Sequence, residues 1–325
     1  MTSTSIELAR RGEIVLRTST EQDVPALVRV RDAVTHTFSG RPTPLTPALV
    51  ALERGFPGRD PERDIPVVEA DGVVIGAGNF YAAAPYSELF FGVSIDPALD
   101  DSLHRASTEL LLEYAVRRCT ERLDGMAQER GGRVVTDVFA DDRRTAAVTR
   151  GLGWSVVGHA WEMAKDLSGE PVPSPEWPSD VTVARITPER VGAVNEVFAE
   201  AFLDHVGDMH VDVDMLAAIQ RDDGFHHGAS CLVSDSEGPV AALMGSIRSG
   251  IGHVDLVGVR RRARRRGLAS AMLRHALGNL RADGVSWAVL EVDAESVTGA
   301  TRVYESAGMV AVTTMDVWGL PLPGP

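Results

Sequence analysis

The sequence predicts two α/β domains made by duplication, and three observations carry that prediction. The chain has 325 residues, about twice the length of one ordinary domain. A proline-rich stretch at residues 168–180 interrupts it near the middle; Pro171, Pro173, Pro175 and Pro178 remove backbone donors and favour an extended linker. The order of elements is the same on both sides of that stretch. The expected division is therefore a first domain at residues 1–167, a linker at 168–180 and a second domain at 181–325.

Each half opens with a short strand and a helix. Val15-Leu16-Arg17 leads to Val24, Leu27 and Val28, and Val183-Ala184-Arg185 leads to Val191, Val194, Val197 and Phe198. Thr187, Pro188 and Glu189 read as the N-cap, first position and first-turn acid of the second of these helices. A hairpin follows in each half, turning at Asp71-Gly72 and at Gly238-Pro239. A strand and an amphipathic helix come next. Leu268, Met272, Leu273, Ala276, Leu277 and Leu280 recur at helical spacing in the second copy, and Leu110, Leu111 and Ala115 play that part in the first. A strand, a helix and a glycine stop, Gly153 or Gly308, close each copy. The repeated order is β-α-β-β-β-α-β-α-β.

Composition narrows the class. Hydrophobic residues at 44% and charged residues at 24% are ordinary for a globular chain and exclude extensive disorder. No apolar run approaches a membrane span, and the polar start Met1-Thr2-Ser3-Thr4-Ser5 is unlike a signal peptide. Cys119 and Cys231 stand far apart without CxxC spacing, so no disulfide scaffold or zinc site is expected, and a reducing cytoplasm is the expected compartment. A net charge of −14 and a pI near 5.1 argue against nucleic acid as the main partner. One segment breaks this balance. Arg260, Arg261, Arg262, Arg264, Arg265 and Arg266 place six positive charges in seven residues.

The neighbours of that run explain it. A strand at residues 253–259 precedes it, and Gly267-Leu268-Ala269-Ser270 opens the amphipathic helix after it. A strand feeding a turn and a helix N-terminus aims unpaired backbone N–H groups at one point, with the helix dipole behind them. Such a turn binds phosphate or pyrophosphate. The arginines supply charge, while Gly267 and Ala269 are small enough for close approach. Neither GxxxxGK[ST] nor GxGxxG is present, which excludes a Walker loop and a dinucleotide fingerprint. A solvated basic loop and a nucleic-acid patch are the alternatives for the run taken alone.

Val257-Gly258-Val259, followed by Arg264-Arg265-Arg266-Gly267-Leu268-Ala269, resembles the R/Q-x-x-G-x-G/A acetyl-CoA signature of GNAT (Gcn5-related) N-acetyltransferases. Residues 290–309 are similar to the family's second motif, in which an Asn precedes a helix bearing A-x-x-x-Y-x-x-x-G-F. Ser296 stands where Asn is usual and Met309 where Phe is usual. The resemblance covers residues 181–318 strongly and 14–167 only as a worn copy. It implies two tandem GNAT-like domains, each a mixed, mostly antiparallel central sheet flanked by helices. It also implies acetyl-CoA as donor, no metal, and direct transfer to an amine. Val257, Gly258, Val259, Arg264, Arg265, Arg266, Gly267, Leu268, Ala269, Ser270 and Ser296 would hold the donor. Tyr304, in the family's tyrosine position, would meet the departing thiolate. His253 lies where members commonly carry a catalytic glutamate, and Asp255, two residues on, would orient or replace it as base. Glu291 and Asp293 are weaker candidates.

The first copy lacks these devices. Asp96, Asp100 and Asp101 occupy the place of the arginine turn, no glycine lies between Gly92 and Gly125, and Thr149 falls where the second copy has Tyr304. A structural or substrate-shaping role with little or no turnover is expected of it. The acceptor pocket is expected from residues 198–219 and the domain interface. There Asp204, Asp208, Asp212 and Asp214 would attract a cationic amine, and irregular spacing argues against a metal. A tandem with one worn half is similar to the mycothiol synthases, and amino-sugar, cysteinyl and antibiotic-like amines are all candidate acceptors. The expected partners are thus a small-molecule amine and neither nucleic acid nor membrane, in a monomer or homodimer. Two other readings are a catalytically silent acyl-CoA-binding module and a nucleic-acid binder using residues 260–266.

Overall fold

The computed structural model describes residues 5–41, 45–56, 59–82, 88–124, 132–204, 211–295 and 299–322. It divides into one unit of residues 1–159 with 313–325 and another of residues 160–312. The first half of the chain supplies β1 (Glu7–Arg11), β2 (Ile14–Arg17), α1 (Val24–Ser39), α2 (Pro47–Arg54), β3 (Val67–Ala70), β4 (Val73–Ala82), β5 (Glu88–Ile95), α3 (Asp101–Asp124), β6 (Arg133–Phe139), α4 (Arg143–Gly151) and β7 (Ser155–Asp166). The second half supplies β8 (Thr182–Ala184), α5 (Val191–Ala201), α6 (Val213–Gln220), β9 (Cys231–Asp235), β10 (Gly238–Arg248), β11 (Ile251–Val259), α7 (Leu268–Ala282), β12 (Trp287–Asp293), α8 (Ala300–Ser306) and β13 (Val310–Pro321).

In the first unit β1 to β5 pair antiparallel in sequence order, and β5 pairs parallel with β6. In the second, β8 to β11 are antiparallel and β11 pairs parallel with β12. Each sheet is therefore mixed and mostly antiparallel. The first hairpin turn follows its residues: Asp71 and Gly72 both take positive φ, 49° and 75°, as the tight turn into β4 requires. In the second hairpin Gly238 and Pro239, expected as the turn, already belong to β10, and the turn lies at residues 236–237. Helices cover both faces. Leu27 and Val30 of α1 and Val50 of α2 pack on one face of the first sheet, while Leu110, Leu111 and Ala115 of α3 fill the core on the other. Val194, Val197 and Phe198 of α5 do the first job in the second unit, and Met272, Leu273, Ala276 and Leu280 of α7 the second.

The units do not coincide with the halves of the sequence. Residues 160–166 of β7 pair with β12, from Trp287↔Asp166 to Asp293↔Ala160. Residues 315–321 of β13 pair with β6, from Met315↔Phe139 to Pro321↔Arg133. Each half thus gives its last strand to the other unit, and the boundaries at 167 and 181 shift accordingly. The reason is physical: an extended segment after a helix can pair with any free strand edge, and the side-chain alternation that marks it as a strand is the same for either partner. Met163 and Leu167 are buried in the core of the second unit, while Trp318 and Leu322 are buried in that of the first.

The proline-rich segment is irregular but not free. Arg281 of α7 donates to the carbonyls of Leu167, Gly169 and Glu170, Arg274 meets Glu176 at 2.8 Å, and Trp177 packs edge-on to His275. Thr187 precedes a 3-10 turn, Pro188–Arg190, rather than capping α5, and its hydroxyl makes no cap bond. No helix among the described residues is long and apolar enough to cross a membrane.

Candidate active site

Two glycines let helices press on both faces of β11. A Cβ at Gly252 would lie 2.7 Å from Leu280 of α7, and one at Gly258 would lie 2.7 Å from Phe198 of α5. Gly258 therefore serves packing against α5. Between them β11 carries one residue more than β10: Gly245 pairs with Val254 and Met244 with Leu256, leaving Asp255 bulged. The bulge turns the strand over, so that Val254 joins the core under α7 and Leu256 the core under α5. β11 and β12 pair only at Gly252↔Ala288 and His253↔Val289. Beyond these the strands part, and the edge of β11 at residues 254–259 facing β12 has no ladder partner among the described residues. A wedge of this kind can accept an extended ligand as a false strand.

The wedge leads to the N-terminus of α7. Its N-cap is Gly267 at φ 80°, and no side chain caps it, so the first-turn N–H groups of Leu268, Ala269 and Ser270 remain for a ligand. A Cβ on Gly267 would meet nothing within 4 Å; the glycine is there for its left-handed backbone, which Arg265 shares at φ 61°. Leu268 itself is buried in the core.

The arginines are not all free charge. Arg260 pairs with Glu200 at 2.6 Å, and the backbone N–H of Arg261 donates to the same carboxylate at 2.9 Å. Arg262 meets Asp235 at 2.8 Å and holds its carboxyl down at about 2. Arg266 bridges Asp180 at 2.6 Å and Asp235 at 3.3 Å. Arg264 turns back and donates to the Val259 carbonyl at 3.2 Å, which shapes the corner. Arg265 is exposed. Three arginines thus fix the turn to its surroundings, which sequence reasoning missed because Glu200, Asp235 and Asp180 come from three separate segments.

His253 stands opposite Ser246 across β10 and β11, on the face away from α7. Asp255 lies on that side too, accepting from Ser246 at 3.1 Å and from Arg248 at 2.8 Å, with Asp222 3.7 Å from the same guanidinium. Burial pushes the Asp255 carboxyl up, while Arg248 pulls it back. Asp255 is therefore tied into a local ion pair, with its Oδ2 buried and unbonded. On β12, Glu291 shares the face of Val289 and hence of His253, and it stands directly opposite Glu162 of β7. Desolvation raises the Glu291 carboxyl. Glu162 escaped the sequence reading because it belongs to the first half of the chain.

Tyr304 sits on α8, half-buried against the core under α7, and burial pushes its hydroxyl up to about 12. Its Oη has no hydrogen-bond partner among the described residues. Ser296 and residues 205–210 lie outside the described residues. Asp212, expected in the acceptor pocket, caps α6 by accepting from the Met215 N–H at 2.8 Å. No cluster of metal-ligating side chains occurs among the described residues. Cys119 and Cys231 are free and buried, and burial pushes both thiols up, which makes neither a nucleophile.

The first unit repeats the wedge but not the anion turn. β5 and β6 pair only from Glu88↔Arg133 to Phe90↔Val135 and then diverge. At the following turn Asp96 accepts from the Ala98 N–H at 3.0 Å, and Asp100 from the Leu103 N–H at 2.9 Å. The chain's own carboxylates thus take amides that would serve an anion. Arg144 braces the turn through the Pro97 and Leu99 carbonyls and Asp101. Thr149 is fully buried, its hydroxyl donating to the Thr145 carbonyl.

The Acetyltransferase (GNAT) family matches residues 193–309, which hold β11, the arginine turn, α7 and α8. A comparison with curated protein sequences gives no match. Among solved structures, a GCN5-related N-acetyltransferase from Sphaerobacter thermophilus is similar over 98% of both chains, with TM-score 0.73 and 24% identity. A tandem GNAT protein from the clavulanic acid biosynthesis pathway covers 99% of both chains, with TM-score 0.67 and 15% identity. A GCN5-related glucosamine N-acetyltransferase region of a fungal multi-domain β-N-acetylglucosaminidase covers 96% of this chain and 38% of that one, with TM-score 0.60 and 14% identity. The chain thus carries a GNAT-family acetyltransferase domain at residues 193–309, within a tandem GNAT fold.

Proposed function

We propose that this chain is an N-acetyltransferase that moves acetyl from acetyl-CoA directly onto a primary amine of a small molecule. The observation that carries the reading is the open wedge between β11 and β12 running into the uncapped N-terminus of α7. In this reading the first-turn amides from Leu268 to Ser270 and the exposed Arg265 hold the pyrophosphate. The free edge of β11 around Val257 holds the pantetheine arm and polarises the thioester.

An amine of pKa ~9 is only about 1% neutral at pH 7, so presenting its free form costs roughly 2.7 kcal/mol. His253 is the assigned base, since histidine ordinarily titrates near the working pH. Asp255, committed to Arg248 and Ser246, positions the bulge beside it. Glu162 and Glu291 set carboxyl oxygens on the same face, where they can accept hydrogen bonds from an amine. Tyr304, held at about 12, keeps its proton at neutral pH. It therefore stabilises the departing thiolate, whose thiol has a pKa of roughly 8.5, by donating a hydrogen bond. The first unit, its turn amides taken by Asp96 and Asp100, is assigned little or no turnover.

The acceptor belongs to the amino-sugar, cysteinyl or antibiotic-like amines; the fungal neighbour's glucosamine region supports the first of these. Internal pairing of Arg260, Arg262 and Arg266 counts against nucleic acid. Calorimetric titration with acetyl-CoA tests the donor: micromolar binding at one site per chain is expected, and no heat at such concentrations rejects the reading. Thiol release across an amine panel then tests transfer, and binding without release leaves a silent acyl-CoA module.

A further inference from the structure

Arg248 ends β10 with its side chain only 9% exposed, and a charge that deep persists only with partners. Its guanidinium joins three pieces of the second unit. Nη1 donates to Asp255 in the β11 bulge at 2.8 Å and to the Ser246 hydroxyl of β10 at 2.6 Å, and Nη2 lies 3.7 Å from Asp222, two residues after α6. Ser246 completes the set by donating to Asp255 at 3.1 Å. The segment carrying Asp222 is itself fastened to β10. The Ile247 N–H donates to the Gly224 carbonyl at 2.8 Å, and the His226 N–H to the Gly245 carbonyl at 2.8 Å. A Cβ on Gly224 would lie 2.9 Å from Asp222 Oδ2 and 3.3 Å from Arg248 Cγ, so a glycine is needed for this segment to close on the guanidinium.

The bulge at Asp255 lies where β11 leaves β12, since the last pair of that ladder is His253↔Val289. Whatever holds Asp255 therefore aims both His253 and the strand edge beyond it. The geometry points to Arg248 as a positioning residue for acetyl transfer, acting through Asp255 on the alignment of base and thioester; this rests on the transferase reading above. A rigid fork set between two carboxylates can fix a strand in a way that the point charge of lysine cannot. Misplacing reacting groups by about 1 Å can cost about 100-fold in rate. The donor's pyrophosphate is assigned to the α7 turn, a different element, so donor affinity is expected to survive.

Thiol release from acetyl-CoA by the full chain tests this, with the most active acceptor among glucosamine, S-methylcysteine and kanamycin, beside calorimetric titration of acetyl-CoA. Arg248→Lys should lower kcat about tenfold, while acetyl-CoA still fills one site per chain with Kd changed by less than about twofold. Asp255→Ala should lower kcat as well, and Arg248→Lys added to it should cost less than about twofold more, because the route runs through Asp255. If Arg248→Lys does not fold, Ser246→Ala takes its place and should lower kcat about threefold at full binding stoichiometry. An unaltered kcat in whichever variant is read overturns the assignment and leaves the transferase reading standing. So does a fall in kcat matched by a fall in stoichiometry, which marks a merely structural arginine. A further loss of about tenfold in the Asp255→Ala background does the same. No thiol release by the native chain with any of these amines overturns the assignment together with the transfer step, and acetyl-CoA binding then tells a silent module from a failed donor site.

Discussion

At the scale of single residues, the titration behaviour of buried groups decides what each can do. Tyr304, at about 12, is a donor and not a base. Tyr304→Phe should lower kcat about 100-fold, the ordinary worth of such a group, and leave acetyl-CoA affinity unchanged in titration. An unaltered kcat removes Tyr304 from the mechanism. His104 in α3 is buried, and that burial, reinforced by Arg144, holds its imidazole below the ordinary 6.5. Under acid the unfolded chain takes up a proton that the folded chain refuses. Its contribution to stability is therefore complete above the unfolded value and declines as pH falls below it. Urea midpoints measured at about pH 7.5 and about pH 5.5 should separate in the native chain and converge in His104→Gln; equal separation in both assigns the acid sensitivity elsewhere. The sequence named Tyr304, His253 and Asp255 by residue type and spacing. It gave no sign that Arg248, seven residues before Asp255, closes on it across a hairpin, because that contact exists only once β10 and β11 pair.

At the scale of elements, the turn before α7 was the most legible part of the chain. Its residue types state their own backbone requirements: glycine at the left-handed N-cap, small residues next, positive charge around them. Gly267→Ala should cost about 1–2 kcal/mol through backbone strain, since its Cβ finds open space and no clash. Chemical denaturation reads that loss, and titration should show weakened acetyl-CoA binding beside it. A drop in stability with full affinity places the anion elsewhere. Less was legible where two elements had to meet. The sequence marked Gly258 for the donor, yet Phe198 of α5 explains it by contact. The arginine run read as free charge, yet Arg260, Arg262 and Arg266 are neutralised by carboxylates from distant segments. The wedge itself left no trace in the pattern, because a strand that loses its neighbour halfway keeps the same side-chain alternation.

At the scale of the molecule, the repeat was readable and the exchange of last strands was not. Trp318, near the C-terminus, is among the largest fully buried side chains, and it sits in the core of the first unit under the guanidinium of Arg150. Trp318→Ala should cost about 3–5 kcal/mol. Hydrogen exchange should show the loss in β6 and α3, with protection of α7 retained. Loss centred on α7 would contradict the assignment of the strand. The exchange also has a meaning in time. A ribosome releases the first half long before the last strand exists, so β6 waits with an open edge while the second unit is still being made. Of the two units, the one made earlier is completed later, and a truncation that removes β13 injures the unit made from the other half of the sequence.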